Sequence, residues 1–281
     1  MVDSDVPAAV KAWDHAFRAM RAKYGLPVST MTDADDLRLQ QRMRHFLSTD
    51  PDGSWVAEED GVVVGLSQSF VRDGYWVLSM LATAPDSQRR GLGRELLQLA
   101  MGNADSAGPG SIQASRDPGA MSLYTSAGFS LHPVVTGKGA VRPGSVSFDP
   151  RVRHSDRNDI ETVAAIDRVV RGSARSVDIV AMLNEPGSRL LLLDDRGYVV
   201  AKDDRVVTLG ARDDEAATTL LKAALAEMSV GTVEVNWLTA NQQWAIRTLV
   251  DSGVELVPSG PMMVRGSPSP PSPYIPSGGY G

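Results

Sequence analysis

The sequence predicts an α/β (α+β) chain made of two tandem halves with one element order: helix, helix, three antiparallel strands, helix, strand, helix, strands. Three observations predict it. Residues 76–82 are apolar and uncharged, and they lead through Pro85 and a loop with two glycines into a leucine-rich helical repeat, which is a strand–loop–helix unit. Ahead of that unit, short apolar runs are separated by Asp-Gly turns, the signal for antiparallel hairpins. The same succession starts again after residue 151.

In the first half, Val10, Trp13, Phe17, Met20 and Tyr24 recur at spacings of three and four, predicting a helix over 6–24 that Gly25 and Pro27 close. Thr32-Asp-Ala-Asp35 is a capped start for a second helix over 37–47, with Leu39, Met43, Phe46 and Leu47 on its inner face. Strands follow over 54–58, 62–71 and 75–82, joined by turns at Glu59-Asp60-Gly61 and Arg72-Asp73-Gly74. Leu92, Leu96, Leu97, Leu99 and Ala100 mark a helix over 92–107. A strand over 111–115 comes next. Asp117-Pro118 opens a helix that ends at Ala127-Gly128, and a last pair of strands runs toward Phe148.

The second half repeats the order: helices over 156–170 and 175–183, strands over 190–193, 198–201 and 205–209, a helix over 213–228, a strand over 232–236, a helix over 241–251 and a strand over 254–257. Short echoes support the repeat, such as Ser126-Ala-Gly-Phe-Ser-Leu131 against Asp251-Ser-Gly-Val-Glu-Leu256. Residues 267–281 are rich in Pro, Ser and Gly and read as an extended or flexible tail that Tyr274, Ile275 and Tyr280 could anchor.

Composition narrows the function. The 281 residues suit about two domains, and no apolar run approaches the ~20 residues of a membrane helix. No cysteine is present, so disulfides, thiolate metal sites and a cysteine nucleophile are excluded. The four histidines lack metal-ligand spacing, so no metal is expected. A net charge of −6 argues against a nucleic-acid binder, and the acidic start Met1-Val-Asp-Ser-Asp5 shows no signal peptide; a cytoplasmic enzyme is the simplest fit.

The loop Gln88-Arg89-Arg90-Gly91-Leu92-Gly93-Arg94 carries the chemistry. Its glycines admit a close ligand and positive φ, the helix it opens presents amides without internal partners, and Arg89, Arg90 and Arg94 add charge. That is an anion site suited to a diphosphate. No Gly-Lys-Ser/Thr follows, which excludes the Walker loop, and Glu95 stands where a dinucleotide fingerprint would tighten.

Gln88-Arg-Arg-Gly-Leu-Gly93 resembles motif A of the GNAT acyltransferases, Gln/Arg-x-x-Gly-x-Gly/Ala, without departure. Residues 117–129 are similar to a second family motif, Asn-x-x-Ala-x-x-Leu-Tyr-x-x-x-Gly-Phe. Leu123-Tyr124 and Gly128-Phe129 match it, Asp117 replaces the asparagine, and Met121 displaces the small residue. A strand before Val6, usual in the family, is missing. The resemblance implies two GNAT-like domains, each a mixed, mainly antiparallel sheet flanked by helices. These are an acetyl-coenzyme A-binding domain over 1–148 and a degenerate one over 149–266, with the tail over 267–281. It further implies that residues 88–94 hold the diphosphate. Backbone groups of Leu81, Ala82 and Thr83 would hold the donor arm in a splay beside strand 111–115, and Tyr124 would be the acid for the leaving thiolate.

The base is not evident, because residues 75–82 contain no carboxylate; Glu58, Asp73, His132 or an ordered water are the candidates. Arg171 and Arg175 either bind an acidic substrate group or are solvated helix ends. In the second half Gly210-Ala-Arg-Asp-Asp-Glu215 lacks the glycine pair and crowds the helix start with carboxylates, and Leu249 stands opposite Tyr124. Those carboxylates would cap the helix and repel a diphosphate. The expected function is transfer of an acetyl group from acetyl-coenzyme A to the amine of a small molecule or peptide, in a cleft between the halves. The alternatives are a longer acyl donor, or a coenzyme A-binding sensor or scaffold without turnover. The acceptor and the oligomeric state, monomer or homodimer, stay open.

Overall fold

Helix α1 (Val6–Lys23) and helix α2 (Asp33–Thr49) open the chain. Thr32 caps α2, with its hydroxyl accepting from the Asp35 amide and the Asp35 carboxylate returning to the Thr32 amide, a reciprocal pair that satisfies two end groups. Strands β1 (Ser54–Glu59), β2 (Val62–Arg72) and β3 (Tyr75–Thr83) form an antiparallel meander. Both hairpins turn through two left-handed residues, Asp60-Gly61 and Asp73-Gly74, the backbone that lets a two-residue loop follow the sheet twist. Helix α3 (Leu92–Ala100) follows. The computed structural model describes residues 1–103, 108–228, 231–267 and 269–281; the helix expected over 92–107 ends at Ala100 and passes into a 3-10 turn, Met101–Asn103, and residues 104–107 lie outside the described residues.

Contacts divide the chain into two compact units, 1–108 and 109–281. In the first, β2 sorts its side chains by face. Leu66, Gln68 and Phe70 turn to α1 and α2, where Phe70 stacks on Phe46 with centroids 4.6 Å apart and Gln68 donates to the Met43 carbonyl at 3.0 Å. Gly65, Ser67 and Ser69 turn to α3; a Cβ on Gly65 would meet Leu96 at 3.0 Å, and the two hydroxyls donate to helix carbonyls of Leu96 and Ala100. This small-residue face lets α3 lie close on the sheet. The buried side of α1 is Val6, Ala9, Val10, Ala12 and Ala16; Trp13 and Phe17 are half-buried and stack on each other at 4.6 Å. No strand precedes α1 among the described residues.

The second unit begins with β4 (Gly110–Gln113), α4 (Pro118–Ser126), β5 (Ser130–His132) and β6 (Val135–Ala140). It continues with β7 (Arg153–Ser155), α5 (Ile160–Arg171), α6 (Ser176–Leu183), β8 (Ser188–Leu193), β9 (Gly197–Lys202), β10 (Arg205–Ala211) and α7 (Asp214–Glu227). It closes with β11 (Thr232–Leu238), α8 (Gln243–Asp251), β12 (Glu255–Pro258), β13 (Met262–Arg265) and β14 (Tyr274–Ile275). Strand order β12-β6-β11-β10-β9-β8-β7 forms the large sheet, mainly antiparallel with one parallel pair, β10 with β11. Leucines and alanines of α7 pack on one face of it with Leu191, Leu193, Val199 and Ala201, while α5 and α6 cover the other.

Strands trade places between the repeats. β6, from the end of the first, pairs with β11 and β12 of the second, and β13, from the end of the second, pairs with β4 and β5 of the first. The tail is docked: β14 pairs with β10, and Tyr274, Ile275, Tyr280 and Gly281 are buried.

Candidate active site

β3 carries one residue more than β2 between the pairs Gln68↔Met80 and Ser69↔Leu78, a bulge at Ser79 that bends the strand before it reaches the loop. Beyond the bulge Leu81, Ala82 and Thr83 remain paired with Ser67, Leu66 and Gly65. Pro85–Ser87 makes a tight turn, and Gln88 Nε2 donates to the Thr83 carbonyl at 3.1 Å, fastening the loop to its strand.

From there the backbone turns left-handed twice, at Arg89 (φ 64°) and at Gly91 (φ 92°), before α3 starts at Leu92. Alternation of this kind turns successive N–H groups toward one concave side. The Gly91 carbonyl already accepts from Arg94 and Glu95, so the helical ladder begins there. Among the described residues, the amides of Arg89, Arg90, Gly91, Leu92 and Gly93 have no acceptor. Gly91 is exposed and Gly93 half-buried; Arg89, Arg90 and Arg94 are exposed around them. Glu59 holds the rim: its carboxylate accepts from Ser87 Oγ at 3.2 Å and lies 3.5 Å from Arg90 Nη1. Glu59 was not anticipated as part of the loop; an acid next to a hairpin turn gives no such signal. Five donors and three guanidinium groups in one run can bind several phosphate oxygens at once.

Tyr124 lies in the second unit, on α4. Asp117 caps that helix by accepting from the Ala120 amide at 3.0 Å, so aspartate does here what the asparagine of the motif would do. The helix ends with Gly128 left-handed at φ 89° and the Phe129 amide returning to the Tyr124 carbonyl at 3.1 Å, which is why Gly-Phe follows Tyr at that distance. Tyr124 is 5% exposed, and among the described residues its hydroxyl has no hydrogen-bond partner. Burial, with the Asp117 carboxylate adding to it, pushes the phenol far above its ordinary 10, so it stays protonated.

Of the candidate bases, Glu58 is exposed on β1 and Asp73 sits in an exposed turn. His132 is half-buried on β5 opposite Met262, its Nε2 has no partner among the described residues, and burial lowers its pKa below the ordinary 6.5. Arg171 and Arg175 are neither solvated nor open to a substrate. Arg171 donates to the Ser173 carbonyl at 3.1 Å, and Arg175 is consumed by an internal network with Asp167, Tyr198 and Thr208.

The second repeat differs where the first has its loop. Asp213 caps α7 by accepting from the Ala216 amide at 2.8 Å, and that bond, with Arg196 beside it, holds its carboxyl below the usual range. The helix mouth is therefore closed by its own side chain. Gly253 is left-handed and the Val254 amide returns to the Leu249 carbonyl at 2.9 Å, which places Leu249 at the structural position of Tyr124.

Residues 13–129 match the family described as Acetyltransferase (GNAT) family. No curated protein sequence matches the chain. Among solved structures, one from Pyrococcus horikoshii assigned as an acetyltransferase is similar over 100% of this chain and 94% of its own, with TM-score 0.77 and 18% identity. A GCN5-related N-acetyltransferase from Sphaerobacter thermophilus is similar over 94% and 93%, with TM-score 0.57 and 14% identity. A tandem GNAT protein from the clavulanic acid biosynthesis pathway is similar over 95% and 97%, with TM-score 0.52 and 15% identity. No helix among the described residues is long and apolar enough to cross a membrane, and none of their His, Asp and Glu side chains form a group of three that could hold a metal ion. The matched motifs and these likenesses agree: residues 13–129 carry a GNAT-family acetyltransferase domain, and the whole chain shares its fold with GNAT acetyltransferases, a tandem GNAT protein among them.

Proposed function

We propose that the chain moves an acetyl group from acetyl-coenzyme A to the amine of a small molecule or peptide by direct transfer. The observation that supports this reading is the run of five unpartnered amides, Arg89 to Gly93, at the mouth of α3. Acetyl-coenzyme A supplies an acyl group already activated as a thioester. Amides 89–93 and the side chains of Arg89, Arg90 and Arg94 bind the diphosphate, and the backbone of Leu81, Ala82 and Thr83 aligns the donor arm. Tyr124, kept protonated by burial, donates to the departing sulfur. His132, kept neutral at pH 7 by its lowered pKa, takes the proton from the attacking amine.

Acetyl-coenzyme A at a hundredfold excess over its Kd is expected to stabilise the protein by about 2.7 kcal/mol, a rise of several degrees in Tm; no shift by scanning fluorimetry at saturating ligand rules the reading out. Tyr124→Phe is expected to keep that shift and lower kcat by about 10²- to 10⁴-fold, read from thiol release. His132→Ala is expected to remove the loss of kcat/KM that the parent shows as pH falls through the histidine pKa; an unchanged acid limb assigns the base elsewhere. The absence of a carboxylate on β3 favours one second reading, a coenzyme A-binding sensor. Turnover with any member of a panel of amino sugars, polyamines and peptide termini discards it.

A further inference from the structure

The second repeat contains a groove filled by the chain itself. β10 and β11 pair only at Arg205↔Glu234 and Val206↔Val235 and then diverge. The divergence has a cause in β11, where the register slips between Val235 and Leu238 and Trp237 takes a left-handed φ of 64°, a conformation a bulky residue adopts only when packing imposes it. Past Val206, β10 keeps β9 on one edge, through Leu209↔Val199 and Gly210↔Tyr198, and its other edge faces the opening.

Residues 270–281 fill it. The approach is pinned to the start of α8: Asn241 Nδ2 and Gln242 Nε2 donate to the carbonyls of Pro270 and Pro271 at 2.9 and 2.8 Å. β14 then adds an antiparallel strand to the free edge of β10 at Leu209↔Ile275 and Gly210↔Tyr274. The Ala211 amide donates to the Pro273 carbonyl at 3.1 Å, and Thr208 Oγ1 donates to the Ile275 carbonyl at 2.8 Å. Ile275 is fully buried in the core with Leu209 and the α7 residues. Gly278 lies so close to the Trp237 ring that a Cβ would stand 3.1 Å from its Nε1. Arg175 ends the groove, donating to the Tyr280 carbonyl at 3.1 Å and to the Gly281 carbonyl, while Tyr274 OH reaches the Gly281 carbonyl at 2.8 Å.

β10 precedes its helix in the second repeat as β3 does in the first, so its free edge is where a donor arm would align if the second repeat still took one. The groove's chemistry is different. It offers backbone pairing, an apolar slot for one side chain, and a buried guanidinium for carbonyl oxygens. We infer that this groove is a peptide-binding site that works by strand addition, that its resident ligand is segment 270–281 of the same chain, and that coenzyme A does not compete for it.

The test uses the full chain with a protease recognition sequence inserted after Ser267, cleaved once folded. The cut segment is expected to co-elute with the body in gel filtration. A labelled synthetic peptide of residues 270–281 exchanges into the groove with saturable binding. The same peptide carrying Ile275→Asp competes at least a hundredfold less well, and saturating acetyl-coenzyme A leaves the labelled peptide bound. A segment that elutes free with no fall in Tm overturns the inference, as does equal competition by a scrambled peptide or displacement by acetyl-coenzyme A. Failure of the first repeat to bind acetyl-coenzyme A leaves the peptide readouts untouched, so the two readings fail separately.

Discussion

Gly93→Glu is expected to abolish the rise in melting temperature that acetyl-coenzyme A produces and to weaken binding by at least a hundredfold, about 3 kcal/mol or more at 1.4 kcal/mol per decade. Gly93 is the second residue of α3, and its amide is one of the five without an acceptor. A glutamate there sets a negative charge beside the oxygens those amides would hold, at the one place where the helix dipole otherwise favours an anion. Unfolding does not account for the loss. Glutamate has a better helix propensity than glycine by close to 1 kcal/mol, and an acid in the first turn is itself favourable by about 0.3–1 kcal/mol. The ligand-free variant is therefore expected to melt no lower than its parent. Gly93→Gln separates charge from bulk: it should retain part of the shift. A Gly93→Glu protein that still shows the full shift would move the diphosphate away from α3.

Arg175→Met is expected to destabilise the second unit by about 3–5 kcal/mol, the usual cost of stranding one partner of a buried ion pair. At roughly 2–4 °C per kcal/mol for a unit of this size, its transition falls by about 10 °C. Arg175 is 1% exposed and Asp167 is fully buried. The guanidinium donates to Asp167 at 3.1 Å, Tyr198 OH at 3.1 Å, Thr208 Oγ1 at 2.7 Å, and the Tyr280 and Gly281 carbonyls. Its removal leaves the Asp167 carboxylate with Tyr198, whose phenol burial holds protonated well above its ordinary value. The double variant Arg175→Met, Asp167→Leu should regain part of the loss, because no uncompensated charge is left behind. Additive losses in thermal melts of the two single variants and the double would show that the pair is not coupled.

Much of the fold was legible because its signals are local. Asp60-Gly61 and Asp73-Gly74 turn as Asp-Gly pairs should, Asp117-Pro118 caps and opens α4, and Gly128 closes it. The turn ahead of α3 was legible for the same reason, since its two glycines lie within the seven residues 88–94 and Gly91 takes the left-handed backbone that glycine permits. What the sequence hid is long-range. The spacing of Val10, Trp13, Phe17, Met20 and Tyr24 predicts helix α1 but not which of its side chains are buried. Packing close to a sheet selects Ala9, Ala12 and Ala16, and Trp13 and Phe17 shelter each other at the edge. Met262–Arg265 and Tyr274–Ile275 are strands only because of partners far away in the chain, β4 and β5 for one and β10 for the other. Their own four and two residues carry no period to read. Arg175 was misjudged because charge at a helix start suggests solvent, and nothing nearby in the sequence shows that Asp167, Tyr198 and the chain end converge on it.

The exchange of strands sets a schedule for biosynthesis. Residues 110–132 cannot complete their sheet until β13, at 262–265, has left the ribosome. At about 5–20 residues per second that wait is roughly 7 to 27 seconds, during which a nascent chain exposes the unpaired edges of β4 and β5, a template for pairing with neighbours. A gene cut at the repeat junction would leave each product in that condition permanently, so the two repeats are inseparable as expressed fragments although each has its own helices and turns.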